Sequence, residues 1–192
     1  MKVLGFSGSP RANGNTDLLL KEFMKGAKEA GAETEIISLS KFRFDPCISC
    51  GKCFKTGRCE VEDKFQEIYD KIMEADHIVV ASPIYFMGIS AWAKTLVDRC
   101  QCFWAKKYIL NAPVTEYRGN LTRRGVFIST AGSKVKKAFD GAMFTMRFFY
   151  DAIGVVYYKN LLYNSIDDKG VIKDHPTALS EAYETGREIV IK

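Results

Sequence analysis

The stretch KVLGFSGSPRANGNT, residues 2–16, decides the fold, because it joins an apolar strand to the start of a helix through a loop of glycines and polar side chains. The strand is predicted at residues 2–6. From residue 16 to residue 30, apolar residues recur at helical spacing. A strand, a loop and a helix in this order form the first unit of a parallel α/β sheet.

The same alternation continues along the chain. Four further strands are predicted at residues 34–39, 77–81, 125–129 and 155–158, and four further helices at residues 64–75, 90–105, 135–152 and 177–190. Near-continuous apolar strands between helices indicate a parallel sheet covered on both faces. We therefore predict one domain over residues 1–192 with a flavodoxin-like, doubly wound, five-stranded parallel sheet and a cysteine-rich insertion after strand two. In this fold, ligands bind at the carboxyl ends of the strands.

Composition limits the classes of function. The 192 residues are 47% apolar, as in a globular protein, and carry a net charge of +5 without long Lys/Arg runs. We expect no nucleic-acid partner, while an acidic protein or an anionic ligand fits this charge. The apolar run before Ser7 is too short for a signal peptide, and no apolar stretch approaches a membrane span. We expect a cytoplasmic protein without a membrane partner.

The first loop, SGSPRANGNT, lacks both the GxGxxG dinucleotide motif and the P-loop motif. Its hydroxyls, amides, one positive charge and following helix N-terminus would suit a terminal phosphate. The candidate binding residues are Ser7, Ser9, Arg11, Asn13, Asn15 and Thr16. The alternative is an ordinary capped turn, with Asn15 or Thr16 as the N-cap.

Two further loops follow predicted strands. SPIYFMG, residues 82–88, offers a proline, two aromatic rings and a glycine to a flat heterocycle, while STAGS, residues 129–133, offers small polar groups. Taken singly, Tyr85 and Phe86 are better interpreted as packing residues than as ligand contacts. Together the three loops describe a phosphate site beside a stacking slot, which flavin mononucleotide (FMN) requires.

Four cysteines lie within CISCGKCFKTGRC, residues 47–59. Steps of three let one loop present Cys47, Cys50 and Cys53 to one cluster, and the longer stretch before Cys59 lets that residue supply a fourth ligand. Zinc also accepts four thiolates, although structural zinc sites usually have two CxxC pairs separated by a long stretch of sequence. A loop that binds no metal is a third possibility. Cys100 and Cys102 are interpreted as core or interface residues.

The SGSPR and GNT elements, the ASPIYFMG segment and the CxxCxxCxxxxxC spacing together resemble the iron-sulfur flavoprotein family, a branch of the flavodoxin-like NADPH-dependent FMN reductases. The resemblance implies that the FMN phosphate is bound by Ser9, Arg11, Asn15 and Thr16. It implies contacts with the isoalloxazine ring from Pro83, Ile84, Tyr85, Phe86 and Gly88, and with the ring edge from Ala131 and Gly132. It also implies a 4Fe-4S cluster held by Cys47, Cys50, Cys53 and Cys59, in a loop at about 43–63.

The resemblance further implies a homodimer or homotetramer in which one protomer's cluster lies near another's flavin. The expected function is electron transfer through the cluster and FMN, from a ferredoxin-like donor or NAD(P)H to oxygen, peroxide or a quinone. No residue is assigned as catalytic, and His77 and His175 are interpreted as structural. The alternatives are an NAD(P)H-dependent FMN or quinone reductase without a cluster and, more distantly, a zinc-stabilised binding module.

Overall fold

The computed structural model describes residues 1–115 and 121–191. Its strands are β1 (Lys2–Ser7), β2 (Glu33–Ser38), β3 (His77–Ala81), β4 (Ile84–Tyr85), β5 (Gly88–Ile89), β6 (Arg124–Thr130) and β7 (Val156–Tyr163). Its α-helices are α1 (Asn15–Glu29), α2 (Cys53–Thr56), α3 (Phe65–Glu74), α4 (Ala91–Arg99), α5 (Gln101–Trp104), α6 (Asp140–Ala152) and α7 (Ala178–Ile191). A π-helical segment covers Ala105–Ile109 and a 3-10 helix covers Val171–Asp174. Within the two described ranges, no helix has the length and apolar character that crossing a membrane requires.

The main sheet has five strands in the order β2-β1-β3-β6-β7, and every neighbouring pair is parallel. This is the flavodoxin-like strand order, so the predicted five-stranded parallel sheet of a flavodoxin-like fold is confirmed. The order reverses direction between β1 and β3, and the loops that leave these strands therefore border the crevice in which such folds bind ligands.

Alternation along each strand divides the core into two layers. Leu4 and Phe6 of β1 face the layer formed by α3, α4, α5 and α6, whereas Val3 faces the layer formed by α1 and α7. β3 and β6 divide their side chains in the same way. Because successive side chains point to opposite faces, a strand buried on both sides must be apolar throughout, as these sequences are.

Helices α1 and α7 cross at two glycines. A Cβ atom on Gly26 would collide with the backbone carbonyl of Tyr183, and one on Gly186 would collide with the backbone carbonyl of Phe23. The two backbones therefore approach more closely than any side chain would allow. This contact holds α1 against α7.

Several predicted boundaries differ from the structure. The helix predicted at residues 90–105 is divided into α4 and α5 at Cys100 and continues as the π-helical segment. The helix predicted at 135–152 begins only at Asp140, and the strand predicted at 155–158 extends to Tyr163.

The segment 82–88 contributes to an unpredicted hairpin of β4 and β5, whose turn residues Phe86 and Met87 have φ of 49° and 61°. Such turns normally carry Asn and Gly, so this sequence lacked the usual hairpin signal.

Candidate functional site

The loop after β1 leads into an uncapped helix. Gly14 occupies the N-cap position of α1, and no side chain caps the first turn among the described residues. The predicted N-caps, Asn15 and Thr16, are instead the first two helical residues, so this N-cap assignment is wrong. An uncapped N-terminus retains backbone N–H groups and a partial positive charge that favour an anion.

Asn15 uses its side chain to anchor another loop. Its amide nitrogen donates to the carbonyl of Asp168 at 2.8 Å, and its amide oxygen accepts from the N–H groups of Gly170 at 2.8 Å and Ile172 at 3.3 Å. The side-chain amide of Asn15, which was predicted to bind a phosphate, therefore hydrogen-bonds to the loop after β7 instead.

The other polar groups of the first loop shape the loop itself. The Ser9 hydroxyl accepts from the backbone N–H of Arg11 at 3.1 Å. Arg11 itself is exposed. Asp17 accepts from the Ser7 hydroxyl at 3.3 Å and from the N–H of Asn13 at 2.9 Å. Sequence reasoning missed Asp17, although its position four residues before Lys21 on α1 is the usual spacing of a helical ion pair.

A cavity of about 80 Å³ lies at the carboxyl ends of the strands. It brings together eight predicted binding residues: Ser9, Arg11, Asn15, Thr16, Pro83, Ile84, Tyr85 and Gly132. It is also lined by five that were not predicted: Gly14, Thr130, Ile166, Asp167 and Lys169. The loop after β7 could have been predicted from the sequence, because ligands in this fold bind at the carboxyl ends of the sheet strands and β7 corresponds to the fifth predicted strand.

Five predicted residues do not line this cavity. Ser7 is buried at the end of β1, Asn13 is exposed on the loop, and Ala131 is buried in a small core cluster. Gly88 lies in β5, and Phe86 projects fully exposed from the hairpin turn. Phe86 and its neighbour Met87 are exposed non-glycine residues with positive φ, an unfavourable conformation that concentrates at functional sites.

Buried hydroxyls hold the bases of these loops together. Ser90 donates to the carbonyl of Gly8 at 2.6 Å and caps α4 by accepting from the N–H of Ala93. Ser129 donates at 2.6 Å to the carbonyl of Ser82, whose own hydroxyl accepts from the N–H of Ser90. Buried hydrogen bonds therefore join the first residues of the loops after β1 and β3 to the end of β6.

All six cysteines of the chain line a second, larger cavity of about 620 Å³. Cys47 and Cys50 are exposed, Cys53 and Cys59 are partly buried, and Cys100 and Cys102 are buried. The last two also belong to the apolar core, as predicted. The lining residues of this cavity and those of the first cavity do not overlap.

The cysteine segment is bent by residues in the left-handed region and fastened to α3. Gly51 and Gly57 have φ of 69° and 70°, which glycine adopts readily. The side-chain amide of Gln66 donates to the carbonyl of Cys59 at 2.7 Å, and the Tyr69 hydroxyl donates to the carbonyl of Gly57 at 3.1 Å. Helix α3 thus positions the last cysteine of the segment.

The electrostatics of this cavity disfavour uncompensated thiolates. Burial, and then the neighbouring Cys59, Cys47 and Cys50, raise the pKa of the Cys53 thiol. Burial, with Cys59 and Cys53, raises the pKa of Cys102 to about 12. A thiol such as Cys53, whose pKa is raised by burial and by the neighbouring thiols, suits a cationic centre, because metal charge reverses this effect.

No three His, Cys, Asp or Glu side chains in the described part of the chain are arranged to hold a single metal ion. The thiolates of a 4Fe-4S cluster each bind a different iron atom, so they lie farther apart than ligands of one ion. The donor set of four cysteines around one cavity fits such a cluster.

The two histidines lie outside both cavities. His77 is buried at the start of β3, where its Nδ1 accepts from the N–H of Arg124 at 3.2 Å, and burial lowers its pKa to about 4. The Nδ1 of His175 accepts from the N–H of Ala178 at 3.2 Å, at the start of α7. Both contacts are structural, as the sequence indicated.

Comparison with known proteins adds a family match, two similar relatives and one similar solved structure. The family model described as NADPH-dependent FMN reductase matches residues 1–144. An iron-sulfur flavoprotein of Methanocaldococcus jannaschii is 50% identical over 99 residues, which are 52% of this chain and 51% of that protein. An iron-sulfur flavoprotein of Methanosarcina thermophila is 34% identical over 134 residues, which are 70% of this chain and 65% of that protein. These matches therefore span about half to two thirds of the relatives' own lengths.

Among solved structures, an NAD(P)H:quinone oxidoreductase from Methanothermobacter marburgensis superposes with a TM-score of 0.72 and 19% identity. The match covers 98% of this chain and 96% of that one. At this identity the likeness shows the shared fold.

Proposed function

The chain belongs to the NADPH-dependent FMN reductase family, and from this we propose that it is an oxidoreductase that binds FMN and a 4Fe-4S cluster. It would take electrons from a ferredoxin-like protein and deliver them to a small acceptor such as oxygen, peroxide or a quinone. We propose one FMN-binding domain over residues 1–192, with the cluster-binding loop at about 43–63. The names of the two relatives support an iron-sulfur flavoprotein.

The first cavity is the proposed FMN site. The uncapped N-terminus of α1 and the Arg11 and Lys169 side chains would hold the phosphate, with Asp167 as the opposing negative charge. Pro83, Ile84 and Tyr85 would form an apolar wall for the flavin ring.

The second cavity is the proposed cluster site, and its four closely spaced cysteines are the observation that carries the proposal. Cys47, Cys50, Cys53 and Cys59 would be the ligands. When bound, the cluster would pass single electrons, whereas FMN would hold one or two. The residues around both sites would bind, orient and insulate these groups, and none needs to act as an acid, a base or a nucleophile.

We also propose a homodimer or a homotetramer. The two cavities share no lining residue among those described, and large apolar side chains are exposed near both. Phe144 and Phe148 pack edge to face on the outside of α6 and line the cysteine cavity, while Phe86 projects beside the proposed flavin site. A second protomer would cover these rings and could bring its flavin near the cysteines.

Exposed cations of the cysteine segment are the proposed docking site for an acidic electron donor. Arg58 already pairs with Asp70 at 2.9 Å and lies over the Tyr69 ring. Lys52 and Lys55 are therefore the stronger candidates for steering a donor protein, an effect that added salt would screen.

The experiment that tests the proposal is a visible spectrum of protein purified without oxygen and reconstituted with iron and sulfide, with iron, sulfide and flavin measured on the same sample. We expect about four irons and four sulfides per FMN. The Cys53→Ala variant should lose them, whereas Cys102→Ala, which changes a buried cysteine of the same cavity, should keep them. FMN without iron in the wild type would overturn the cluster and leave the flavin site standing.

A second candidate function is an NAD(P)H-dependent FMN or quinone reductase without a cluster. The description of the matching family model favours it, since it names NADPH as the reductant. Rapid anaerobic bleaching of the flavin by NADPH, at the same rate in wild type and Cys53→Ala, would support this candidate. Bleaching that requires reduced ferredoxin and an intact Cys53 would exclude it.

A further inference from the structure

Arg99 is a charged residue enclosed beside the cysteine segment. It ends α4, and its side chain has 0% exposure. The guanidinium donates to both carboxylate oxygens of Asp63, at 2.6 and 2.9 Å, and lies 4.5 Å from the centre of the Phe65 ring. Burying an arginine is costly unless its donors are satisfied, so its remaining contacts matter.

Those contacts reach both ends of the cysteine segment. One guanidinium nitrogen donates at 2.7 Å to the carbonyl of Asp45, two residues before the first cysteine of the segment. The other donates at 3.4 Å to the sulfur of Cys59, the last cysteine, in addition to its bond with Asp63. The N–H of Asp45 also donates to the Asp63 carboxylate at 3.0 Å. The Arg99–Asp63 pair thus closes the loop that holds the four cysteines.

We propose that Arg99 is a positioning residue for the cysteine cavity, which draws the two ends of the segment together and polarises the sulfur of Cys59. The second effect rests on the proposed cluster. An N–H that donates to a ligand sulfur withdraws electron density from it, so the reduced, more negative cluster is favoured and its reduction potential rises. Arg99 lies inside the protein, where solvent screens its charge less than that of the exposed Lys52 and Lys55.

The test compares Arg99→Met, Arg99→Lys and the control Lys94→Gln. Lys94 lines the same cavity from α4, but it is half exposed and pairs with Asp98, so its removal subtracts one positive charge without touching a sulfur. The first readout is hydrogen exchange of residues 45–63 in the cluster-free proteins. The second is the reduction potential of the reconstituted proteins, and the third is the rate of cluster loss to an iron chelator.

We expect Arg99→Met to increase exchange across residues 45–63, to shift the cluster potential downward and to accelerate cluster loss by about 10-fold or more. Arg99→Lys, which keeps the charge but cannot span both ends of the segment, should give smaller changes in the same directions. Lys94→Gln should resemble the wild type in all three. If Arg99→Met does not fold, Arg99→Lys is judged by the same criteria.

Three outcomes decide the inference. Unchanged exchange in the cluster-free Arg99 variants would overturn the positioning role. An unchanged potential in variants that retain the cluster would overturn the polarising role. A wild type without iron after reconstitution would overturn the proposed cluster and the polarising role with it, while the exchange measurement would still decide the positioning role by itself.

Discussion

His77 shows how one buried side chain couples stability to pH. Its pKa is lowered from about 6.5 to about 4, chiefly because burial disfavours the charged imidazole. The unfolded chain therefore binds a proton between these pH values when the folded protein does not. The contribution of His77 is complete above pH 6.5 and declines as pH falls toward 4.

We expect the wild type to lose about 2 kcal/mol of unfolding free energy through this group between pH 7.5 and pH 5. His77→Asn, which can still accept from the N–H of Arg124 but does not titrate, should lose less over the same range. Urea unfolding of both proteins at the two pH values measures the difference. Equal losses would show that His77 is not responsible.

Arg11 is the exposed cation of the first loop and lines the proposed FMN cavity. A charge-assisted hydrogen bond contributes about 1.5–3 kcal/mol, so Arg11→Gln should weaken FMN binding by about 10-fold or more. Riboflavin lacks the phosphate, so its affinity should be unchanged.

Titration of flavin-free protein by fluorescence quenching gives both affinities of the Arg11 variant. Lys28→Gln, at the opposite end of α1, is the matched control for the lost charge. An equal loss of affinity for FMN and riboflavin would indicate that Arg11 does not contact the phosphate.

At the scale of elements, the crossing of α1 and α7 depends on the absence of a side chain at Gly186. Alanine is the better helix former by about 1 kcal/mol, yet a Cβ at this position would collide with the backbone of α1. We expect Gly186→Ala to destabilise the protein by at least about 1–3 kcal/mol, the usual range for overpacking.

Glu184→Ala, at an exposed position of the same helix, should stay within about 0.5 kcal/mol of the wild type. Thermal unfolding of the two variants separates packing from helix propensity. A Gly186→Ala variant as stable as the wild type would mean that the two helices can separate without cost.

At the scale of the molecule, exposed aromatic rings argue for self-association. Phe144 and Phe148 are 65% and 59% exposed on α6, an uncommon position for large apolar side chains that contact each other. We expect the Phe144→Glu, Phe148→Glu double variant to reduce the mass measured by light scattering, because a buried unpaired carboxylate is costly at an interface.

The variant with Ser180→Glu, which places a carboxylate on the exposed side of α7, is the control for added charge and should keep the wild-type mass. A wild type that is monomeric at all concentrations would remove the proposal of an oligomer. An unchanged mass in the double variant would locate the interface elsewhere.

The amino-acid sequence by itself determined the alternation of five strands with helices, because period-2 and period-3.6 burial are local patterns. It also identified the first loop and the four closely spaced cysteines, whose spacing is visible without a fold. It did not reveal that the Asn15 side chain hydrogen-bonds to the loop after β7. It also did not reveal the hairpin at Phe86, whose turn lacks Asn and Gly.

Only the tertiary structure decided which distant residues meet. It added Lys169 to the pocket of Arg11, gathered all six cysteines around one cavity and enclosed Arg99 between the two ends of their segment. It also matched Gly186 to the backbone of α1. The physical reason is that these contacts join residues far apart in the chain, and they follow from the packing of helices on the sheet rather than from any local preference.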